Sequence, residues 1–385
     1  MDSEKRRLSR RHRQDNEKIQ RNITLVKSGY KNKKVNRFGR TLGLIGLFVL
    51  MIAVGWGVHA YMSLNSTVNK MNGSTNTATS VRIATRQPIS ILVLGVDQGI
   101  EGRHDRGNSD TIILATANPA KKTATMTSIP RDTLTEIKGE TGSTQYFMFK
   151  VNSAYEFGGH NGSVKTVSAM LNVPVQYYVE VNMKALKSLV DGLGGVDVDV
   201  PFSFSYDWCD FREGRQHLNG RHAVAYARMR YDDPRGDYGR QARQRQIIQA
   251  ILTKAMSIKG LANYQKLLKV FAKYVKTNLT FGDMTALALN YRGAAKNLKS
   301  GYLHGHDATI SDTSFQIAST SQLQKVSDRI RKNLGLSTET VNNQETRQNS
   351  LNEKYNKIDF SDENAFTNYT IYDADSDTPR SSDSW

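Results

Sequence analysis

The longest uninterrupted apolar stretch of the chain runs from Leu42 to Met62. Its 21 residues include no Asp, Glu, Lys or Arg. At about 1.5 Å of rise per residue, such a helix would span roughly 30 Å, the thickness of a bilayer core. A soluble helix normally has a polar face, and a cleaved signal peptide has a shorter apolar region followed by small residues. The pattern therefore predicts an uncleaved transmembrane helix over residues 42–62.

Basic residues precede this stretch. Residues 1–40 hold 14 Lys and Arg against 4 Asp and Glu, which favours a cytoplasmic basic head over residues 1–41. Everything after Met62 is then extracellular, and the expected location is the cell membrane, with a single pass. The cluster KRRLSRRHR at 5–13 could also bind anionic lipid or nucleic acid. No recognition fold surrounds it, so no nucleic-acid partner is expected.

The apolar pattern changes twice more along the chain. Residues 63–87 are rich in Ser, Thr and Asn without an apolar period, which is typical of a flexible tether. Residues 88–310 carry regular apolar patterns and predict one catalytic domain. Residues 311–385 are predicted to be a polar, acidic, disordered tail. The overall charge of +17 is unevenly distributed, because residues 301–385 hold 8 Lys and Arg against 13 Asp and Glu.

The body alternates between two kinds of pattern. Short β-branched runs such as 89–96 and 111–117 predict buried strands, and the turn 118–122 leads into a returning strand, which suggests a hairpin. The spacing of Leu186, Leu189, Val190 and Leu193 predicts a helix. Strands alternating with helices predict an α/β fold, with a sheet covered by helices. The single cysteine, Cys209, excludes an intramolecular disulfide and a cysteine-based zinc site.

Charged residues follow the predicted strands. Asp97 and Arg131 each come after a strand, the position where α/β sheets bind ligands. A glycine-containing loop joins Asp97 to Asp110 and could bring the two carboxylates together. Such a pair would suit Mg²⁺, which completes its shell with water and phosphate oxygens. The alternative is that both aspartates cap turns.

Residues 201–250 contain nine arginines and no lysine. Its planar guanidinium matches phosphate oxygens in pairs, whereas an exposed basic face normally mixes Arg with Lys. The bias favours an anion-binding cluster over simple surface charge. The nine residues are Arg212, Arg215, Arg221, Arg228, Arg230, Arg235, Arg240, Arg243 and Arg245.

A helix predicted over 240–258 separates some of these arginines. At 3.6 residues per turn, Arg240 and Gln244 share the side of Ile247 and Ile251, whereas Arg243 and Arg245 are predicted on the flanks. An inward arginine requires an anionic partner, and the first turn of a helix favours phosphate. Arg228 and Arg230 would point the same way in an extended segment.

Seven segments of the chain resemble the LytR-CpsA-Psr family of bacterial cell-envelope proteins. The most specific is the last, because its arginines and glutamines recur within one block. The segments are LVLGVDQ (92–98), NSDTIILATANP (108–119), TMTSIPRDT (125–133), KVNSAYEFGG (150–159), YYVEVNM (177–183), LVDGLGGVDVDV (189–200) and LNGRHAVAYARMRYDDPRGDYGRQARQRQII (218–248).

The resemblance implies a fold and an activity. The fold is an α-β-α sandwich whose pocket holds a polyprenyl chain. The activity is that of a membrane-anchored phosphotransferase, mostly found in Gram-positive bacteria. It moves a glycopolymer, such as wall teichoic acid or capsular polysaccharide, from undecaprenyl pyrophosphate to peptidoglycan. The alternatives are a polyprenyl-pyrophosphate pyrophosphatase and a non-catalytic lipid-binding envelope regulator, the latter suggested by the family's transcriptional attenuator label.

The resemblance also implies roles for individual residues. Asp97 and Asp110 match the positions that hold Mg²⁺ against the pyrophosphate. Arg131, Arg228, Arg230 and Arg240 match phosphate-binding arginines, and Gln244 matches a polar partner. Asn108 stands where the family often has Arg, so Arg106 is a candidate substitute. The expected catalytic set is Asp97, Arg131 and Asp132, with the general base open between Asp97 and Asp132.

Overall fold

The described part of the chain contains both strands and helices. The structure, a computed structural model, describes residues 77–96, 107–139, 147–255, 275–362 and 364–380. Its strands are β1 (Ile89–Val96), β2 (Ser109–Asn118), β3 (Thr123–Ser128), β4 (Leu134–Glu136), β5 (Met148–Lys150), β6 (Tyr177–Asn182), β7 (Val196–Val200), β8 (Phe204–Tyr206), β9 (Cys209–Phe211), β10 (Gly214–Leu218), β11 (Val275–Thr277), β12 (Leu298–Tyr302), β13 (His306–Ile310) and β14 (Thr313–Ile317). Its helices are α1 (Thr77–Ala84), α2 (Ser153–Leu171), α3 (Met183–Gly192), α4 (Gly220–Arg228), α5 (Gly236–Ala255), α6 (Phe281–Asn290), α7 (Arg292–Lys296), α8 (Thr320–Leu334) and α9 (Gln344–Tyr355).

Six strands form the central mixed sheet, in the order β11-β6-β1-β2-β3-β12. β1 is parallel to β6, β3 is parallel to β12, and the other three pairs are antiparallel. The predicted hairpin is confirmed, since β2 and β3 pair directly across the turn, with Asn118 opposite Thr123. The C-terminal ends of β1 and β3 and the N-terminal end of β2 therefore lie at the same end of the sheet.

Apolar side chains cover both faces of this sheet. On one face, Leu92 and Leu94 pack with Val167 of α2 and Ile330 of α8. On the other face, a second cluster joins α1, β1, β6 and α6. The expected fold of a mixed sheet between helices is therefore confirmed.

The predicted transmembrane helix lies outside the described residues. Within the ranges that the structure describes, no helix is long and apolar enough to cross a membrane.

A third apolar cluster lies under the arginine-rich segment. Phe204 and Phe211, from the small hairpin β8–β9, stack with their ring centroids 4.6 Å apart. Tyr226 of α4 and Ile247 of α5 complete the cluster. This cluster fixes α4 and α5 beside the sheet.

The predicted disordered tail is wrong for the described residues after 310. β14, α8 and α9 are regular elements, and Leu323 and Ile330 of α8 are fully buried. These residues belong to the same compact unit as the sheet, so the predicted domain end at 310 is also wrong. The low aliphatic content was misleading because polar side chains provide much of the packing here.

Buried amides attach the last described segment to α9. Gln348 donates to the carbonyl of Tyr372 at 3.0 Å and accepts from its N–H at 2.8 Å. Asn352 makes the same pair of bonds to Thr370, both at 2.8 Å. Gln344 donates to the carbonyl of Ala374 at 3.3 Å. Gln348 and Asn352 are fully buried, so they supply hydrogen bonds that water cannot replace.

The predicted tether is also shorter than expected at its C-terminal end. Residues 77–84 form α1, and Ile83 is fully buried in the cluster that contains Ile89 and Tyr177. Among residues 81–84, whose burial the structure describes, only Ile83 is buried. One apolar position gives no periodic signal in the sequence, so this helix could not be distinguished from a linker.

Candidate functional site

Asp110, near the start of β2, and Arg131, just after β3, meet at one end of the central sheet. Arg131 Nη1 donates to Asp110 Oδ1 at 2.6 Å. Both side chains are about one-quarter exposed, at 27% for Asp110 and 25% for Arg131. Burial disfavours the charged guanidinium, but the hydrogen bond and charge of Asp110, with Asp132 and Asp237, outweigh it and raise the pKa of Arg131. The guanidinium is thus held in place while part of it stays open to a ligand.

Asp132 extends this group of charges. Its carboxylate lies 3.5 Å from Arg131 Nε and 3.0 Å from Lys150 Nζ. Lys150 ends β5, which pairs with β4 directly after Asp132. The backbone carbonyl of Asp132 accepts from the N–H of Gln316 at 2.9 Å. Two cations and a neighbouring strand therefore fix the position of this carboxylate.

Arg240 lies in the second turn of α5 and points inward, as predicted. It is 9% exposed, and its Nη2 lies 2.5 Å from Asp237 Oδ1. Burial lowers the pKa of Arg240; Asp237 and Asp110 oppose that shift, and Arg131 and Arg230 add to it. Its buried Nε has no hydrogen-bond partner among the described residues. A buried guanidinium N–H without a partner is a strong donor for an incoming anion.

Arg228 and Arg230 do not behave alike. Arg228 is the last residue of α4 and is exposed, whereas Arg230 is half-buried. Arg230 lies over the ring of Tyr231, with 5.7 Å between its guanidinium carbon and the ring centroid. The two were predicted to point the same way if the segment is extended, but Arg228 is still helical and the chain leaves the helix only at Met229. Arg230 is near enough to Arg240 to lower its pKa.

Gln244 is buried, as predicted, but the two flanking arginines are buried as well. Gln244 Nε2 donates to the carbonyl of Ala227 at 3.5 Å. Arg243 is 1% exposed and Arg245 is 7% exposed. Both lie on the flanks of α5, and these flanks are buried because α5 is covered on one side by α4 and on the other by the sheet.

Arg245 faces the sheet. Its Nη1 donates to Ser128 Oγ and its Nε to Ser300 Oγ, both at 2.6 Å. Burial lowers the pKa of Arg245 to about 10, with a smaller contribution from Arg235. The guanidinium remains charged at neutral pH and ties α5 to β3 and β12.

Arg243 faces the opposite way and pairs with Asp233, whose side chain is fully buried. It also donates to the backbone carbonyls of Tyr226, at 3.1 Å, and Met229. A Cβ at Gly239 would collide with the Asp233 carboxylate. Glycine at 239 therefore allows α5 to approach the carboxylate that neutralises Arg243.

Two predicted site residues, Asp97 and Arg106, lie outside the described residues. Within the described ranges, no group of three or more His, Cys, Asp and Glu side chains could hold a metal. Asp110 is one carboxylate with a partly exposed side chain beside cations that suit phosphate. These donors fit Mg²⁺ only as a site that substrate oxygens and water complete, which is its usual mode of binding.

Asp237 and Lys150 belong to the site but were not predicted. Asp237 could have been found from sequence, since it precedes Arg240 by three positions on the same helix. Lys150 has no such signal, because it reaches Asp132 only through the pairing of β4 with β5.

The resulting arrangement is suited to a phosphate ester. Arg131, Arg230 and Arg240 supply cations at the partly exposed end of the sheet. Asp110 and Asp132 supply carboxylates beside them. Guanidinium groups bind phosphate oxygens and neutralise the charge of a leaving phosphate. A carboxylate next to the phosphorus can accept a proton from an attacking hydroxyl.

Comparisons with known proteins show which proteins the chain is similar to. The LytR_cpsA_psr family model matches residues 58–332. Two relatives named polyisoprenyl-teichoic acid–peptidoglycan teichoic acid transferase TagU are similar to the chain. The Enterococcus faecalis protein is 38% identical over 306 residues and the Bacillus subtilis protein 40% over 308; each match covers 79% of this chain and 98% of the relative. The crystal structure of protein gbs0355 from Streptococcus agalactiae has a TM-score of 0.62 and 36% identity, covering 67% of this chain and 91% of that one.

Proposed function

This chain belongs to the LytR_cpsA_psr family, and we propose that it is a transferase that attaches an anionic glycopolymer to peptidoglycan. The proposed donor is the polymer linked to undecaprenyl pyrophosphate, and the polymer is of the teichoic acid type that the relatives' names describe. A capsular polysaccharide is the second candidate polymer. The observation that supports a phosphate substrate best is the buried Arg240, whose Nε lacks a described partner beside Arg131.

The proposed reaction is a phosphoryl transfer. A hydroxyl of the peptidoglycan glycan attacks the phosphorus that carries the polymer. The new oxygen–phosphorus bond forms as the bond from that phosphorus to the bridging oxygen breaks, and undecaprenyl phosphate leaves. Arg131, Arg230 and Arg240 bind the pyrophosphate and offset the charge on the leaving phosphate. The hydroxyl proton passes to a carboxylate, with Asp132 the described candidate and Asp97 the other.

Mg²⁺ is part of the proposal, held by Asp110 together with Asp97. When bound, the ion would neutralise phosphate charge and orient the two phosphates. Asp110 already contacts Arg131, so the same carboxylate would orient a phosphate-binding arginine and hold the ion.

The proposed location follows from the N-terminal segment. Residues 42–62 would cross the membrane once, with the basic head of residues 1–41 in the cytoplasm and the catalytic domain outside. That orientation would place the site where lipid-linked polymer and peptidoglycan are both present.

Product analysis tests the transfer reaction. The full chain, a labelled polymer on undecaprenyl pyrophosphate and peptidoglycan should yield labelled peptidoglycan and undecaprenyl phosphate. In ¹⁸O-labelled water, little ¹⁸O should enter the polymer phosphate. A pyrophosphatase would instead release free polymer phosphate containing ¹⁸O, with or without peptidoglycan. Release of that product alone would contradict the transferase proposal, and binding without turnover would favour a lipid-binding regulator.

Calorimetry tests the metal site separately. We expect Mg²⁺ and a polyprenyl pyrophosphate each to tighten the binding of the other, because two carboxylates cannot fill an octahedral shell. Asp110→Asn should abolish this coupling while the thermal transition is retained, since the carboxamide keeps the shape and loses the charge. The matched control is Asp312→Asn in the turn between β13 and β14. Identical titrations of the unmodified protein with and without Mg²⁺ would rule out the site.

A further inference from the structure

A row of exposed cations lies beside the edge strand β12, on the face of the sheet that α8 covers. We call Lys121, Lys299, Lys325, Arg329 and Lys332 the basic strip. All five side chains are exposed. Lys325, Arg329 and Lys332 are spaced by four and three positions on α8 and therefore share one face of that helix.

Contacts and spacing along the chain place the members of the strip next to one another. Arg329 Nη2 donates to Thr127 Oγ1 of β3 at 3.1 Å, and its guanidinium lies against Gly301 of β12. Lys299 precedes Gly301 by two positions, so it projects from the same face of β12. Lys121 Nζ donates to the carbonyl of Lys332 at 2.7 Å. The strip is thus one continuous surface.

The strip carries a strong excess of positive charge. The segments 119–122, 292–302 and 325–334, which form this edge, contain nine Lys and Arg and one acidic residue, Asp328. Asp328 accepts from Gln324 Nε2 at 2.8 Å. Arg329 is exposed as a whole, but its guanidinium lies against β3 and β12, and this partial desolvation lowers its pKa. Arg331, one of the nine, is buried and pairs with Glu339. Among the described residues, none of the five strip side chains forms an ion pair with a carboxylate, in contrast to Arg131, Arg240 and Arg243 in the site.

A shallow cleft of about 390 Å³ opens within the strip. Lys121, Arg329 and Lys332 line it together with Asp328, Gly335, Leu336 and Thr338. The cleft is connected to the site by β3, since Arg329 contacts this strand and Arg131 follows it. Thr127, which Arg329 contacts, precedes Arg131 by four residues, so the two backbone positions are at most about 13 Å apart. A linear ligand leaving the site could reach the strip within a few repeats.

Protection of the sheet edge alone does not account for this surface. Edge strands often carry lysine to prevent pairing with another chain, and Lys299 of β12 is suited to that role. Lys325, Arg329 and Lys332 are on a helix, and Lys121 is in a turn, so none of these four blocks an open strand edge.

We propose that the basic strip binds the polyanionic part of the donor glycopolymer, a linear chain of repeating phosphate diesters, as it extends away from the phosphate site. The inference rests on the proposed function, because it assigns the surface to a distant part of the same substrate. Repeating phosphates complement a row of cations without requiring a shaped pocket. The strip would hold a long donor in register and would not contact the reacting phosphorus.

The test uses the full chain in detergent micelles and lipid-free poly(glycerol phosphate) as the probe. The variant is Lys299→Gln, Lys325→Gln and Lys332→Gln together, since these exposed side chains form no hydrogen bond or ion pair with the other described residues. The matched control, Lys165→Gln, Arg215→Gln and Lys357→Gln, removes three exposed cations elsewhere. Affinity is measured against salt concentration. The strip variant should bind more weakly, with a log–log salt slope smaller by up to about 2, at roughly 0.7 for each lost phosphate contact.

Three results would overturn the proposal. The first is unchanged binding of the probe by the strip variant. The second is an equal loss in the control variant, which would indicate a general charge effect. The third is loss of probe binding when the unmodified protein is moved from phosphatidylcholine to phosphatidylglycerol nanodiscs, which would assign the strip to the membrane surface.

A short donor separates this inference from the proposed function. The strip variant should transfer a donor with one disaccharide and no polymer at the unmodified rate, and a long polymer more slowly. Absence of transfer by the unmodified protein would count against the proposed function, whereas probe binding would still test the strip.

Discussion

Replacing Arg243 with methionine is expected to lower the free energy of unfolding by about 3–5 kcal/mol, the cost of removing one partner from a buried ion pair. Arg243 is 1% exposed, and its partner Asp233 would be left as a buried carboxylate. The carbonyls of Tyr226 and Met229 would also lose their donor. Urea denaturation followed by circular dichroism measures the change.

The size of this effect should depend on pH. Burial opposes ionisation of Asp233, but the backbone N–H of Arg235 and the guanidinium of Arg243 outweigh it and lower its pKa. A carboxyl whose pKa is lower in the folded state stabilises the protein above its unfolded pKa of about 3.9. That contribution is lost as the pH falls through the folded pKa. The difference between Arg243→Met and the unmodified protein should therefore shrink below about pH 4.

Two variants control the stability measurement. Arg215→Met removes an exposed arginine that lies 3.7 Å from Asp197 and should cost less than about 1 kcal/mol. Adding Asp233→Leu to Arg243→Met should recover part of the loss, because the stranded carboxylate is removed. An effect of Arg243→Met as small as that of Arg215→Met would contradict the buried ion pair.

Arg131→Ala is expected to lower kcat/KM for polymer transfer by about 100- to 1,000-fold, the usual effect of removing one donor to transition-state charge. Arg131 is the partly exposed arginine that Asp110 and Asp132 orient, so its loss removes both charge and geometry. Arg131→Lys should restore only part of the rate, because lysine lacks the paired donors. The measurement is initial-rate kinetics with the lipid-linked donor.

Exposed Arg215 again provides the comparison, since Arg215→Ala should leave the rate unchanged. The thermal transition of Arg131→Ala should stay close to that of the unmodified protein, as the Asp110 pair is partly exposed. A fall in kcat/KM of less than about threefold would mean that Arg131 has no direct role in the transition state.

The sequence predicted those parts of the molecule that depend on apolar pattern and strand order. The β2–β3 hairpin and the inward side of α5 followed from turn residues and helical spacing. The buried Arg243 and Arg245 did not, since counting apolar residues locates only one buried stripe on a helix. Both are buried because α4 and the sheet cover the flanks of α5.

The same reasoning explains the error after residue 310. Hydrophobicity does not detect the buried Gln348, Asn349 and Asn352, which are stabilised by hydrogen bonds. Asn349 donates to the carbonyl of Ala318 at 2.9 Å and accepts from the hydroxyl of Tyr369 at 2.8 Å. Composition alone predicts disorder for such a segment.

The bonds between α9 and the last described segment have a geometric limit. Gln344, Gln348 and Asn352 recur every four residues on the helix, about 6.0 Å apart. Their respective partners Ala374, Tyr372 and Thr370 recur every two residues, about 6.6 Å apart along an extended chain. The two repeats therefore drift by roughly 0.6 Å at each step. The Gln344 bond, at 3.3 Å, is longer than the bonds of 2.8–3.0 Å at the other two positions. Side chains on one face of a helix can thus bond to the backbone of an extended segment at about three successive positions. A longer α9 would gain no further hydrogen bonds of this kind.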